Sequence, residues 1–194
     1  MILAIDTSSA RSAVALIDGD GRVVRELSES SGPGFDLPAR YRTIGNGQRL
    51  TRVAVATGPG SFTGLRVGVS FGLGLAMGLK IPIIPLPTLG IQAARSDGPV
   101  LAVAEAGRGR VYFLVPGVDP GLAEAGELPR SWPVAGWLRP KTEAALEAAG
   151  LRFKSEEELR SFGSAAARLL ESAREVAYGS LRLEYMQSFS ARTL

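Results

Sequence analysis

The sequence predicts an α/β protein of two related lobes, each a mixed sheet with flanking helices. Three observations carry this. Each half opens on strands joined by a hairpin and adds helices later. The segment Ser96-Asp97-Gly98-Pro99 breaks the chain between the halves. Hydrophobic residues make up 45% of the 194, enough for a sizeable core. The expected division is residues 1–97 for the first lobe and 98–194 for a shorter second one.

The elements follow in order. MILAIDTS begins with an apolar run that reads as a buried strand, and SAVALI (12–17) is a second one. DGDG (18–21) is a hairpin turn by composition, and RVVREL (22–27) is the returning strand. Residues 28–49 are rich in glycine and proline, which leaves room for a short helical turn around 36–43. RVAVATG (52–58) is the next strand, followed by a helix to about Leu79 and a strand at 81–86. Thr88 is the expected N-cap of a helix to Arg95. In the second half, residues 100–106 and 110–117 flank the hairpin Gly107-Arg108-Gly109, and 129–137 can add an edge strand. Residues 141–149 read as a helix. Ser155 followed by Glu158 has the spacing of a capping box, which predicts a helix running to about Glu175. The tail LRLEYMQSFSARTL is apolar enough to dock but shows no clear type.

Composition excludes several kinds of chemistry. The chain has no cysteine and no histidine, so disulfides, thiolate metal sites and histidine-based triads are absent. The net charge is +3, with arginine the main cation. Arg40, Arg42, Arg49 and Arg52 lie in an acid-poor run that is either a solvated loop or a contact to nucleic acid or an acidic partner. No charged leader precedes an apolar stretch at the N-terminus. The longest apolar segment, residues 67–79, is short for a bilayer span. The expected location is cytoplasmic.

Two motifs stand out. Asp6-Thr7-Ser8 places a carboxylate and two hydroxyls at a strand end, where they can either position Mg²⁺ and a phosphate or simply satisfy a polar turn. GPGSFTGLRVGVSFGLG (58–74) passes from a tight turn at Gly58-Pro59-Gly60 into a helix that Ser61 or Thr63 can cap. The free amides of such a helix start attract anions, so Asp6, Thr7, Ser8, Gly58, Gly60 and Ser61 form a candidate nucleotide or anion site. The stretch is not a P-loop, because Leu65-Arg66 follows Gly64 in place of Lys-Ser/Thr. Gly64, Gly68 and Gly72 share one helix face, and Gly74 and Gly78 form a second pair. Each interior glycine costs about 0.8–1 kcal/mol relative to alanine, so close approach of another backbone is expected. Packing on the chain's own sheet and packing on a partner both fit. Glu105 at a strand end and the tryptophans Trp132 and Trp137 read as structural.

ILAIDTSSARSAVAL, followed by GPGSFTGLRVGVSFGLGLAMG, PLPTLGIQAA and VLAVAEAGRGRVYFLV, resembles the bacterial TsaB (YeaZ) family over about residues 1–115. The resemblance implies an actin-like, sugar-kinase-like (ASKHA) fold. It further implies a non-catalytic scaffold or activating subunit in tRNA threonylcarbamoyladenosine formation, with a TsaD-like protein as its partner and a TsaE-like ATPase in the same system. A homodimer through the same helical surface belongs to the family as well. Gly64, Arg66, Gly68, Gly72 and Gly74 would then lie on the partner-binding helix. No metal, catalytic residue or cofactor of its own is expected, while ATP or ADP with Mg²⁺ can enter with the complex. Contact with tRNA would be indirect, through TsaD. The alternative is an independent Mg-ATP-dependent ATPase or kinase of the same fold, using Asp6. The chain departs from the family in three places. Residues 28–49 are broken by glycine and proline where the family places a leucine-rich helix, the second lobe is short, and Glu105-Ala106-Gly107 stands where relatives often carry Asp-Ala-Arg.

Overall fold

The computed structural model describes residues 1–32, 34–45 and 47–184. Residues 185–194, most of the tail of undecided type, lie outside them. The first sheet is built from β1 (Ile2–Asp6), β2 (Arg11–Ile17), β3 (Val23–Ser30), β4 (Arg52–Gly58) and β5 (Ile83–Pro87) in the order β3-β2-β1-β4-β5. β1, β2 and β3 pair antiparallel, and β4 joins β1 and β5 in parallel. The hairpin at residues 18–21 forms because the Asp18 carboxylate accepts from the amides of Asp20 and Arg22, at 2.9 and 2.8 Å.

Strand alternation gives the two faces of this sheet different sizes of side chain. Leu3, Ile5, Val14, Leu16, Val53 and Val55 point to one face, which is covered by α1 (Leu37–Gly45) and α2 (Phe62–Leu79). Ala4, Ala13, Ala15, Ala54 and Ala56 point to the other, covered by α3 (Thr88–Ala94) and α5 (Phe162–Leu170). Large residues of β1, β2 and β4 therefore meet the glycine helix and alanines meet Phe162, while Ile2, Ile17, Ile84 and Leu86 supply the bulk elsewhere on that second face. This size matching keeps both interfaces dense.

The second sheet has β6 (Leu101–Gly107), β7 (Arg110–Leu114), β8 (Gly121–Glu124) and β9 (Val134–Ala135) in the order β8-β7-β6-β9. Leu101, Val103, Val111, Val134, Leu146 and Leu151 form its core together with α4 (Pro140–Ala148). The Gly107-Arg108-Gly109 hairpin carries three positive φ angles in a row, of 77, 54 and 77°. Glu105 is structural: it accepts from the Arg139 amide at 2.7 Å and the Thr142 hydroxyl at 3.1 Å, holding the start of α4.

Three elements differ from the sequence expectation. Residues 28–49 carry a full helix, α1, of nine residues at Leu37–Gly45, where only a short helical turn around 36–43 was expected. Thr88 is the first residue of α3 and not its cap; Pro87 holds the cap position, and the Thr88 hydroxyl lies 3.0 Å from that of Ser8. The expected long helix after Ser155 is only a 3₁₀ turn at Glu156–Glu158. Glu158 does accept from the Ser155 amide and hydroxyl, at 2.9 and 3.1 Å. The next residues are tied elsewhere: the Arg160 amide donates to the Arg95 carbonyl at 2.7 Å, and its guanidinium pairs with Asp97. The helix restarts as α5, with Ser161 accepting from the Ser164 amide.

The chain after α5 returns along the first sheet. The Val176 amide donates to the Ile83 carbonyl at 3.0 Å. The Tyr178 hydroxyl reaches the carbonyls of Ala76 and Ile81, at 3.2 and 2.8 Å. The Glu184 amide donates to the Thr57 carbonyl at 2.8 Å. Residues 162–184 thus pack with the first sheet, although they follow the second in sequence.

Candidate partner-binding helix and interlobe cleft

α2 has two unlike faces, and its glycines divide between them. A Cβ at Gly64 would collide with the main-chain oxygen of Thr7, one at Gly68 with the Thr7 hydroxyl, and one at Gly72 with Val55. These three glycines therefore face the chain's own Thr7 turn and sheet. This corrects the resemblance-based expectation that they admit a partner. The helix start is held in the same way: the Ser61 amide donates to the Ser8 carbonyl at 2.7 Å, the Thr7 hydroxyl to the Gly64 carbonyl at 2.6 Å, and Ser61 accepts from the Gly64 amide at 3.3 Å. Gly60 lies under the Ser8 carbonyl, and Gly58, at φ 114°, lies under the Glu184 carbonyl. The helix ends at Lys80, a left-handed residue at φ 55° whose amide turns back to the last helical carbonyls.

The outer face is open. Gly74 and Gly78 have no atom near a notional Cβ. Phe62, Val67, Met77 and Leu79 on the same helix are each between 43 and 53% exposed. They are four of the six large hydrophobic side chains left exposed among the described residues. Arg66 stacks its guanidinium 3.7 Å from the Phe62 ring centroid. Of the five residues assigned to partner contact, Arg66 and Gly74 face outward. At 18 residues the helix is longer than the apolar run expected, and by length and composition it could cross a membrane. Here Leu65, Gly68, Gly72 and Ala76 are instead buried on the sheet.

A cleft of about 640 Å³ lies between the lobes, lined by Thr7, Ser8, Ser9, Arg11, Ser61 and Arg139 among others. Ser9, Arg11 and Arg139 were not singled out from the sequence. They come from both lobes, and no local spacing connects them. Arg11 and Arg95 both stand over the Trp137 ring, at 5.8 and 4.6 Å from its centroid. Trp137 is buried, and its main chain also bridges the lobes through the Ala10 amide at 3.2 Å.

Asp6, Gly58 and Gly60 do not line this cleft, whereas Thr7, Ser8 and Ser61 do. Asp6 is fully buried and turned toward its own loop, with one carboxylate oxygen accepting from the Ser8 amide at 2.8 Å and the Ser8 hydroxyl at 2.6 Å. The other oxygen has no hydrogen-bond partner among the described residues. Burial pushes the Asp6 carboxyl above its ordinary value of 3.8, and the two Ser8 bonds pull it back only partly. A raised folded-state pKa means that the folded protein holds this proton more tightly than the unfolded chain. The Asp6 contribution to stability therefore falls as pH rises from the ordinary carboxylate value through the raised one. Asp6→Asn is expected to flatten this part of the stability–pH curve, as read from urea melts at several pH values. An unchanged slope in the variant would show that Asp6 is not the group responsible.

Of the acid-poor arginines, Arg40 is paired with Glu29 at 2.6 Å. Arg52 opens β4 on the sheet face that carries α5, away from α1, which bears Arg40 and Arg42.

Comparison with known proteins fits this architecture. Residues 46–118 match the family of TsaD, tRNA N6-adenosine threonylcarbamoyltransferase. The chain is 32% identical to the tRNA threonylcarbamoyladenosine biosynthesis protein TsaB of Bacillus subtilis, over 71% of this chain and 64% of that one. It is 38% identical to the Escherichia coli protein of the same name, over 58% and 53%. The chain thus spans between about half and just under two thirds of these relatives. YeaZ from Pseudomonas aeruginosa superposes with a TM-score of 0.72 at 20% identity, covering 95% of this chain and 99% of that one, which supports the actin-like ASKHA fold. With the GPGSFTGLR turn and helix in place on that fold, the chain belongs to the TsaB (YeaZ) family.

Proposed function

We propose that this chain is a cytoplasmic accessory subunit in tRNA threonylcarbamoyladenosine formation, and that it acts by binding a TsaD-like transferase through the outer face of α2. One observation carries the site: an 18-residue helix holds itself to the sheet by one face and leaves the other apolar and open around Gly74 and Gly78. Exposed apolar surface concentrated in this way marks an interaction site. The names of the relatives supply the pathway. A TsaE-like ATPase and nucleotide would enter with the assembled complex, and tRNA through the transferase.

The test is to mix this chain with the TsaD-like protein of the same genome and to read masses by size-exclusion chromatography with light scattering. A stable heterodimer is expected. Val67→Asp with Met77→Asp changes two exposed side chains and should leave the fold intact while weakening the complex at least about 100-fold, since desolvating an unpaired carboxylate is costly. A heterodimer that ignores this double variant would place the contact elsewhere. Two proteins that never associate would refute the accessory role.

A further inference from the structure

We propose that the end of the first sheet opposite the interlobe cleft is an RNA-contact rim, which grips the phosphate backbone of the tRNA that the transferase brings. The inference rests on the reading of the chain as an accessory subunit in tRNA modification, and it adds a surface which that reading does not use. β1 runs from Ile2 to Asp6 toward the cleft, so Ile2 marks the far end. There Ile2 stands between Ile17 on β2 and Arg52 on β4. Ile17 pairs with Val23 on β3, and Val53 on β4 pairs with Ile83 on β5. Two bonds bring further segments to this end. The Thr51 amide donates to the Met1 carbonyl at 2.8 Å, which places Arg49 two residues away. The Val53 amide donates to the Pro82 carbonyl at 3.0 Å, which places Lys80 two residues away. The Arg25 guanidinium donates to the Ile44 carbonyl at 3.5 Å, in the last turn of α1, and that turn bears Arg42.

Charge is unevenly divided between this rim and the rest of the chain. The rim segments, residues 1–2, 17–25, 42–45, 47–52 and 79–83, hold six cations: Arg22, Arg25, Arg42, Arg49, Arg52 and Lys80. Their only acids are Asp18 and Asp20, in the β2–β3 hairpin. Of 22 basic and 19 acidic residues in the chain, 16 and 17 therefore remain elsewhere. The segment that leads to Val176, whose amide bonds to the Ile83 carbonyl, adds Glu171, Arg174 and Glu175 and leaves an excess of three positive charges. Five of the six rim cations are exposed, and Arg52 is half-buried. None of the six forms an ion pair among the described residues. From β3 to β5 the row crosses four strand spacings, about 19 Å. That length meets roughly five phosphates of one nucleic-acid strand. Separate cations along an edge match a repeating backbone charge, and contacts of this kind position RNA without reading its sequence. The relatives named for tRNA threonylcarbamoyladenosine biosynthesis make RNA the polyanion at hand.

The test is filter binding of labelled tRNA to the complex of this chain with the TsaD-like protein, from about 0.05 to 0.2 M NaCl. Arg22→Gln, Arg42→Gln and Arg49→Gln together change three exposed side chains. The triple variant should weaken tRNA binding at least about tenfold at the lower salt and should reduce the slope of log affinity against log salt by about 2–3. The same three positions changed to Lys should restore both, because phosphate contacts need the charge and not the guanidinium shape. A tRNA with an unrelated anticodon should lose affinity by the same factor. Light scattering should give the same heterodimer mass for the parent and both triple variants. A heterodimer of normal mass whose tRNA affinity and salt slope ignore the Gln variant would overturn the rim and leave the accessory role intact. Equal losses in the Gln and Lys variants would overturn it too, since charge would not be the cause. If the parent chain binds phosphatidylserine vesicles while tRNA affinity ignores the Gln variant, the rim belongs to a lipid surface and the RNA reading falls. Two proteins that never associate would sink the accessory role and this inference together.

Discussion

Gly64→Ala is expected to destabilise the protein by about 3 kcal/mol, the upper part of the range for overpacking a dense interior. The added methyl group would meet the main-chain oxygen of Thr7, which cannot rotate away as a side chain could. Relief requires either lifting the helix start off the turn or moving the turn itself. Lifting would break the Thr7 bond to the Gly64 carbonyl and the Ser61 bond to the Ser8 carbonyl. For a chain of this size the melting temperature should fall by about 6–12 °C. Gly74→Ala is the internal control. Its Cβ enters open space on the same helix, so higher helix propensity should raise stability by about 0.5–1 kcal/mol. Thermal melts followed by circular dichroism read both. If the two variants shift in the same direction, α2 does not pack on the Thr7 turn in the way described.

Phe162→Ala should be at least as damaging, at about 3–5 kcal/mol. Phe162 is fully buried at the first turn of α5, beside Trp137 with ring centroids 6.4 Å apart, and it packs against the alanine face of the first sheet. The alanines opposite the ring are too short to fill the space it would leave. Phe162→Leu, which keeps much of the volume, should cost far less, about 1 kcal/mol. Denaturant unfolding at fixed pH would measure the difference. Equal losses for the two variants would mean that the ring's shape matters more than the cavity it leaves.

The sequence disclosed what depended on neighbours along the chain and concealed what depended on distant ones. β1, β2 and β4 were legible because each is a continuous apolar run buried on the sheet. β8 was missed: four residues, GLAE, carry too short a pattern to register. The capping box at Ser155 was real, but the helix it announced was interrupted by ties from Arg160 to Arg95 and Asp97, more than sixty residues away. The glycine spacing correctly announced a close approach. It could not say that Thr7 and Val55, and not a partner, would be what approaches Gly64, Gly68 and Gly72. The cleft was half legible, since Thr7, Ser8 and Ser61 belong to recognisable turns, while Arg139 arrives from the other lobe.

The return of α5 to the first sheet has a consequence for biosynthesis. When the ribosome has made β1 to β4, the strands that carry Ala4, Ala13, Ala15 and Ala54 can pair, but Phe162 and its helix do not yet exist. Roughly a hundred more residues must be added first, on the order of 5–20 s of elongation at common rates. During that interval α3 can cover part of that side, while the part that α5 will occupy stays bare, a surface suited to a holding chaperone. Truncated chains that stop before α5 should accumulate as chaperone-bound or aggregated species, even though all five strands of the first sheet are already present.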